Sequence, residues 1–488
     1  MKFRQSIKSF FLWNVKEPTI THLLYSISHK VTIMKTIASI NPATGQVNRE
    51  FTLHSQEEIS GKVRKSASAF EVWSSLDVSE RADYLKNVSS LLRGKKEELG
   101  QLITMEMGKP VKQARAEVSK CAVIFDYYAD NAQQLLASRE EKTDAEKSVI
   151  FFEPMGTVLC IKPWNFPFWQ VLSAASHILA GGNVILLKHS SYVPGCALKL
   201  EELFIEAGVP EGVFQTLLTD SSTASSLIGS DKIAAVSFTG GTDAGRKVAV
   251  EAASHMKKFV LELGGSDPFV VLEDADVKKA VEVAARSRFL NSGQTCIASK
   301  RFIVHEAIAD EFTSGFVEQT MKMNVGDPFD EDTDIGPLVR LSQVEELDLQ
   351  VHKSLDMGAK MELKGGPVEG EGFFYSPVIL SNVNTDMPVM QQETFGPVAP
   401  IITFEGRDEA IRFANATPYG LGASIWCGEL QDGISFAKKV HAGVVGVNGF
   451  FRPDACLPFG GMKNSGMGRE LSDFGLYEFM HIRSMKLY

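Results

Sequence analysis

Apolar positions along this chain of 488 residues change rhythm near residue 157. From about 55 to 145 they recur at helical spacing, as at Leu85, Val88, Leu92 and Leu99, which gathers them on one helix face. Ser55 and Glu58 stand ahead of that run as a capping-box pair, each suited to satisfy a backbone N–H at a helix start. Short β-rich runs then follow at Thr157–Ile161, Val184–Leu187, Val213–Leu217, Ala235–Phe238 and Phe259–Leu261. Helix-compatible stretches such as Pro194–Ala207 and Asp243–His255 separate them. Strands alternating with helices predict a parallel sheet with crossovers, and such a sheet takes ligands at the carboxyl ends of its strands. A second α/β stretch runs from about 265 to 450, with β-rich runs at Phe269–Leu272, Phe302–His305 and Pro400–Phe404. Its helix over Val277–Leu290 stops at Asn291-Ser292-Gly293. The tail, Phe479–Tyr488, alternates like a strand without a partner nearby in sequence. It is expected to pair with a distant strand or with another subunit.

A chain this long is expected to hold two or three domains. A net charge of −10 argues against wholesale nucleic-acid binding, since a phosphate backbone needs a basic surface. The six cysteines are scattered with no CxxC pair, and no His/Cys cluster has zinc spacing; no metal is expected. That distribution suits a reducing compartment. No apolar run approaches the roughly 18 residues that a membrane span requires. Residues 1–33 carry five basic side chains and one acidic. Two readings are open, a targeting segment or a start placed too early, with Met34 as the true beginning. The expected location is the cytoplasm, or the mitochondrion if the segment is a transit peptide.

Four short motifs carry candidate chemistry, and each has a plainer alternative. Asn291-Ser-Gly-Gln-Thr-Cys296 presents a thiol after a turning glycine; a lone cysteine is more often a small buried hydrophobe. Leu261-Glu262-Leu263-Gly264-Gly265 embeds a carboxylate in an apolar run. Buried, it would have a raised pKa suited to a general base; otherwise it faces water at a strand end. Pro163-Trp164-Asn165-Phe166-Pro167 fixes an amide between two prolines, where it serves as an oxyanion donor or as an ordinary turn residue. Thr239-Gly240-Gly241-Thr242-Asp243-Ala244-Gly245 joins a strand to a helix. It offers backbone N–H groups to a phosphate or is a plain turn.

In combination and order these motifs resemble the aldehyde dehydrogenase family, most closely its succinate-semialdehyde dehydrogenase-like members. The match includes Lys188, Glu393-Thr-Phe-Gly-Pro397, Pro458-Phe-Gly-Gly-Met-Lys-Asn-Ser-Gly466 and Gly468-Arg-Glu470, and it runs from about 37 to the C-terminus. The resemblance implies an α/β fold: a Rossmann-like parallel-sheet cofactor domain, a second α/β catalytic domain and a small β oligomerisation arm. It divides the chain into a 1–33 extension, a dinucleotide-binding domain at 34–260 with a bridging β segment near 140–153, a catalytic domain at 261–455, and a return segment with an oligomerisation strand at 456–488. A homodimer or homotetramer is implied.

By the same resemblance Cys296 is the nucleophile that attacks an aldehyde, and Asn165 holds the thiohemiacetal oxyanion. Glu262 activates the water that hydrolyses the thioester. Phosphorylating and CoA-acylating relatives lack this glutamate, so hydrolytic oxidation is implied. Trp164, Lys188, Ser191, Thr239, Gly240, Gly241, Thr242, Gly245, Leu263, Glu393 and Phe395 are the expected cofactor contacts. Many NAD-preferring members have a glutamate at the position of Ser191. A carboxylate repels a 2′-phosphate and a hydroxyl beside Lys188 accepts one, so NADP is expected, with NAD tolerated. Gly241 replaces a usual serine. In the pocket, Ser173 and Leu290 stand where succinate-semialdehyde enzymes carry carboxylate-gripping arginines, a change that is not conservative. Phe168, Trp169, Thr295, Phe451 and Phe459 are expected to complete a more apolar channel for neutral aldehydes. Arg452 is either a compensating cation or a solvated surface residue. A cofactor-independent cysteine esterase would use the same thiol without the Lys188 and Glu393 apparatus, and a catalytically silent relative would be expected to have lost Cys296 or Glu262.

Overall fold

The computed structural model describes residues 35–488; the 1–33 extension and Met34 lie outside the described residues. The helical rhythm resolves into four helices, Gln56–Ser75, Val78–Gly94, Lys96–Met107 and Val111–Leu135. The first is closed by the expected capping box: Ser55 N donates to Glu58 Oε2 at 2.7 Å and Glu58 N to Ser55 Oγ at 3.2 Å. Helix ends well before 145. Residues 139–154 form the short Arg139–Glu140 strand and the longer Lys147–Pro154 strand.

Five strands of a six-stranded sheet are parallel, in the order Lys258–Glu262, Ile233–Thr239, Thr157–Lys162, Val184–His189, Phe214–Thr216. Gly466–Met467 adds an antiparallel edge beside Glu262. Every apolar run read as a strand here is one, within about two residues of its expected ends. The sheet is apolar on both faces because helices cover both; Val158, Leu186 and Val236 are fully buried. A seven-stranded sheet holds the second half, ordered Lys360–Leu363, Val378–Ser381, Val398–Phe404, Ser299–His305, Asp267–Val271, Gly422–Trp426, Val444–Val447, with only the first strand antiparallel. Residues Thr36–Tyr488 form one compact unit.

The tail finds its partner within the chain. Met480–Leu487 pairs antiparallel with Lys147–Pro154 along its whole length. All of this strand except Met480 is exposed, including Ile482, Met485 and Leu487. Among the described residues no helix is long and apolar enough to cross a membrane, and no group of three or more His, Cys, Asp or Glu is arranged to hold a metal.

Candidate active site

Asn165, Glu262 and the Thr239–Gly245 turn all lie at carboxyl ends of the parallel sheet, as the topology requires. The cysteine loop reaches them from the other half. Its helix ends at Phe289, and Asn291, Ser292 and Gly293 then take left-handed backbone angles (φ 56°, 55° and 73°). For the first two this is strained by about 1–3 kcal/mol each, and the surroundings enforce it. Asn291 N donates to Gln113 Oε1 at 2.8 Å, Ser292 Oγ donates to Gly336 O at 2.9 Å, and Gln294 Oε1 accepts from Val339 N at 3.0 Å. Gly293 is needed twice over, for its angle and because a Cβ would lie 2.5 Å from Gly396.

The three expected reacting groups converge. Asn165 Nδ2 donates to Gln294 O at 3.1 Å, and Asn291 Nδ2 donates to Asn165 O at 2.8 Å, tying the amide to the turn that carries Cys296. Gly265, three residues after Glu262, passes so close that a Cβ would sit 2.7 Å from the Cys296 carbonyl. Burial pushes the Cys296 thiol up to about 12; the Lys300 ammonium opposes the rise, and Glu393, Asp267 and Glu262 add to it. The Glu262 carboxyl is buried, and neither oxygen has a hydrogen-bond partner. Burial drives it well above the ordinary carboxylate range, the Glu470 charge raises it further, and Lys162 and Arg469 pull it down.

Behind Glu262 lies a buried polar cluster. Lys162 Nζ pairs with Glu470 Oε1 and donates to Thr239 Oγ1, both at 2.9 Å. Glu470 is held by reciprocal backbone bonds with Phe459, 2.7 and 2.8 Å. Above the Asn165 loop, a fully buried Lys109–Glu117 pair acts as a clamp. Glu117 Oε1 accepts from Phe168 N at 2.9 Å and Trp169 N at 3.0 Å, and Lys109 Nζ lies 3.6 Å over the Phe166 ring.

The strand-to-helix turn fits a dinucleotide. Gly241 caps the Thr242–Ser254 helix, is exposed and has no neighbour where a side chain would stand, so a phosphate can approach the helix N-terminus. An open cleft of about 410 Å³ there is lined in part by Gly241, Thr242, Glu393 and Asn464. Gly245 is packed under Leu263, leaving no room for a Cβ. Lys188 is largely buried at the end of its strand while Ser191 is exposed. Burial lowers the Lys188 pKa and the charge of Asp220 raises it. Trp164 meets Phe395 edge-on at 5.7 Å. Thr239 differs from the other cofactor candidates, because its hydroxyl faces Lys162.

The pocket candidates divide. Leu290 and Phe459 are partly exposed, and Thr295 is buried with its hydroxyl 3.3 Å from Leu290 O. Trp169 is partly exposed beneath Lys120 Nζ at 3.8 Å. Three further placements bear on the sequence reading. Phe168 is fully buried in the core of the first half, because Glu117 holds its backbone inward. Ser173 is buried with its hydroxyl 3.5 Å from Glu470 Oε2, inside the polar cluster. The Phe451 ring rests on Gly422, so close that a Cβ there would lie 1.9 Å from it; a glycine in that strand leaves the space the ring fills. Arg452 is exposed. Sequence reasoning assigned no role to Lys162, Glu470, Lys300 or the Lys109–Glu117 pair. Its available signal was a lysine inside an apolar run, since a charge is buried only when paired.

The profile of the Aldehyde dehydrogenase family matches residues 30–485. A probable succinate-semialdehyde dehydrogenase [NADP(+)] of Synechocystis is 43% identical over 92% of this chain and 99% of its own length. The succinate semialdehyde dehydrogenase [NAD(P)+] Sad of Escherichia coli is 41% identical over 92% and 97%. Among solved structures, succinic semialdehyde dehydrogenase from Streptococcus pyogenes in complex with NADP+ superposes with a TM-score of 0.90, at 33% identity, covering 92% of this chain and 99% of that one. The chain belongs to the aldehyde dehydrogenase family, whose members are NAD(P)-dependent oxidoreductases acting on aldehydes.

Proposed function

We propose that this enzyme oxidises an uncharged aldehyde to its carboxylic acid through a thioester on Cys296, with NADP preferred and NAD accepted. The observation that supports this reading best is the convergence of Asn165, Glu262 and Cys296 beside the Gly241 turn. Cys296 attacks the carbonyl carbon, and the Asn165 amide and the Cys296 backbone N–H steady the oxyanion, each such donor being worth about 3 kcal/mol. Bound dinucleotide supplies the hydride acceptor. Lys188 and Glu393 would hold its two riboses, and the Gly240–Thr242 turn would hold its pyrophosphate. Glu262, as carboxylate, then takes a proton from the water that hydrolyses the thioester. The absence of an acidic residue at Ser191 favours NADP, while the Asp220 charge felt by Lys188 is consistent with continued use of NAD.

The relatives' printed names point to an aldehyde bearing a carboxylate. Ser173 beside Glu470 and Leu290 offer such a group no cation, which supports neutral substrates instead. One observation favours a second reading: Lys120 lies over Trp169, with the charges of Asp454 and Arg452 both acting on it, and its ammonium would meet an ω-carboxylate there. Turnover of succinate semialdehyde against neutral aliphatic and aromatic aldehydes, with both cofactors, decides between them. Neutral aldehydes are expected to have the higher kcat/KM. A preference for the semialdehyde that Lys120→Met abolishes would establish the second reading. We further assign residues 34–260 to dinucleotide binding, 261–455 to catalysis and 456–488 to the return segment. The exposed Ile482, Met485 and Leu487 are read as a homo-oligomer contact and the cytoplasm as the location.

A further inference from the structure

Lys300 is the second residue of the Ser299–His305 strand and its side chain is fully buried. Its ammonium donates to the Cys296 carbonyl at 2.6 Å and pairs with Glu393 Oε1 at 3.1 Å. Glu393 in turn accepts from Gly265 N at 3.1 Å, and the Phe395 ring lies 5.8 Å from the ammonium. One cation therefore joins the cysteine loop, the glycines after Glu262 and the Glu393–Pro397 loop. The charges facing the thiol are unbalanced. Glu393 from its loop, Asp267 from the Asp267–Val271 strand and Glu262 from its strand end are acidic groups, the last two pushed towards their neutral forms by burial, and Lys300 is the ammonium set against them. A thiolate among acidic groups with no cation nearby would be strongly disfavoured, and the thiolate is the nucleophilic form.

We infer that Lys300 is a positioning residue for Cys296: it anchors the cysteine loop through the backbone carbonyl and supplies the positive charge that makes the thiolate accessible. The inference rests on Cys296 being the reacting group. Alkylation reads the thiol whether or not aldehyde is turned over, so the two readings fail separately.

The test is the pH profile of Cys296 alkylation by iodoacetamide in the full-length protein without dinucleotide. It is followed by mass spectrometry of the Cys296 peptide, because Cys456 is exposed and would react as well. In Lys300→Met the midpoint is expected to rise by about one pH unit, so that below it alkylation slows about tenfold at fixed pH. Lys300→Arg is expected to restore much of the rate. Glu393→Gln, which removes a carboxylate and frees the ammonium, should move the midpoint down. An unchanged midpoint in folded Lys300→Met would overturn the inference. Should that variant not fold, Lys300→Gln and Glu393→Gln decide: absence of the upward shift in the first, or of the downward shift in the second, overturns it equally.

Discussion

Glu262 and Cys296 are both pressed towards their neutral forms by burial, yet the chain surrounds them differently. The Glu262 carboxyl has no hydrogen-bond partner and has a second carboxylate, Glu470, nearby, with Lys162 already engaged by Glu470 and Thr239. No hydrogen bond stabilises its charge, which is favoured only by the fields of Lys162 and Arg469. It is built to stay protonated at pH values where an ordinary glutamate has ionised, and to act as a base only above them. The cysteine has an ammonium bonded to its own carbonyl, so its surroundings include an element favouring the anion. One group lacks any hydrogen bond, and the other sits on a loop bonded to an ammonium. That contrast suits a base needed late in a reaction and a nucleophile needed first.

The largest expected effect comes from the thiol. Cys296→Ala should abolish aldehyde-dependent growth of absorbance at 340 nm without lowering Tm; substantial residual turnover would remove the nucleophile from the comparison. Next is Glu262→Gln. Turnover should fall by about 10²–10⁴, while a rapid burst of one reduced cofactor per site survives, because only thioester hydrolysis needs the base. A lost burst would mean that Glu262 also serves the thiol.

Glu470→Gln sharpens the contrast through pH. Because Glu262 works deprotonated and its pKa is raised, hydrolysis should fall as pH drops through a value above the ordinary carboxylate range. Removing the Glu470 charge and freeing Lys162 both favour the Glu262 carboxylate, so this acidic limb should move down by about one unit. An unmoved limb in the kcat profile would show that the cluster does not tune the base. The smallest effect is Ser191→Glu, which acts only at the far end of the cofactor. It should raise the NAD-to-NADP ratio of kcat/KM about tenfold and leave both pH limbs in place.

Much of this molecule was legible in its sequence. Local patterns gave the capping box at Ser55, the parallel strands, the turn at Asn291–Gly293 and the pairing strand at the tail, because each depends on residues close in the chain. The expected helical reach to 145 failed because short strands such as Arg139–Glu140 carry too few residues to show a period. The pocket is where the sequence alone says least. Whether Ser173, Phe168 or Phe451 faces a channel or the interior depends on partners far away in sequence, namely Glu470, Glu117 and Gly422.

Residue types and their order determined the family, the likeness of the three reacting groups to a known set, and the absence of an acid at 191. Only the tertiary structure decided which lysine meets which carboxylate. The pairings Lys162–Glu470, Lys300–Glu393 and Lys109–Glu117 join elements whose contact no local period encodes. A buried charge is tolerable only where such a partner arrives, so the electrostatics that tune Glu262 and Cys296 exist only once the chain has folded.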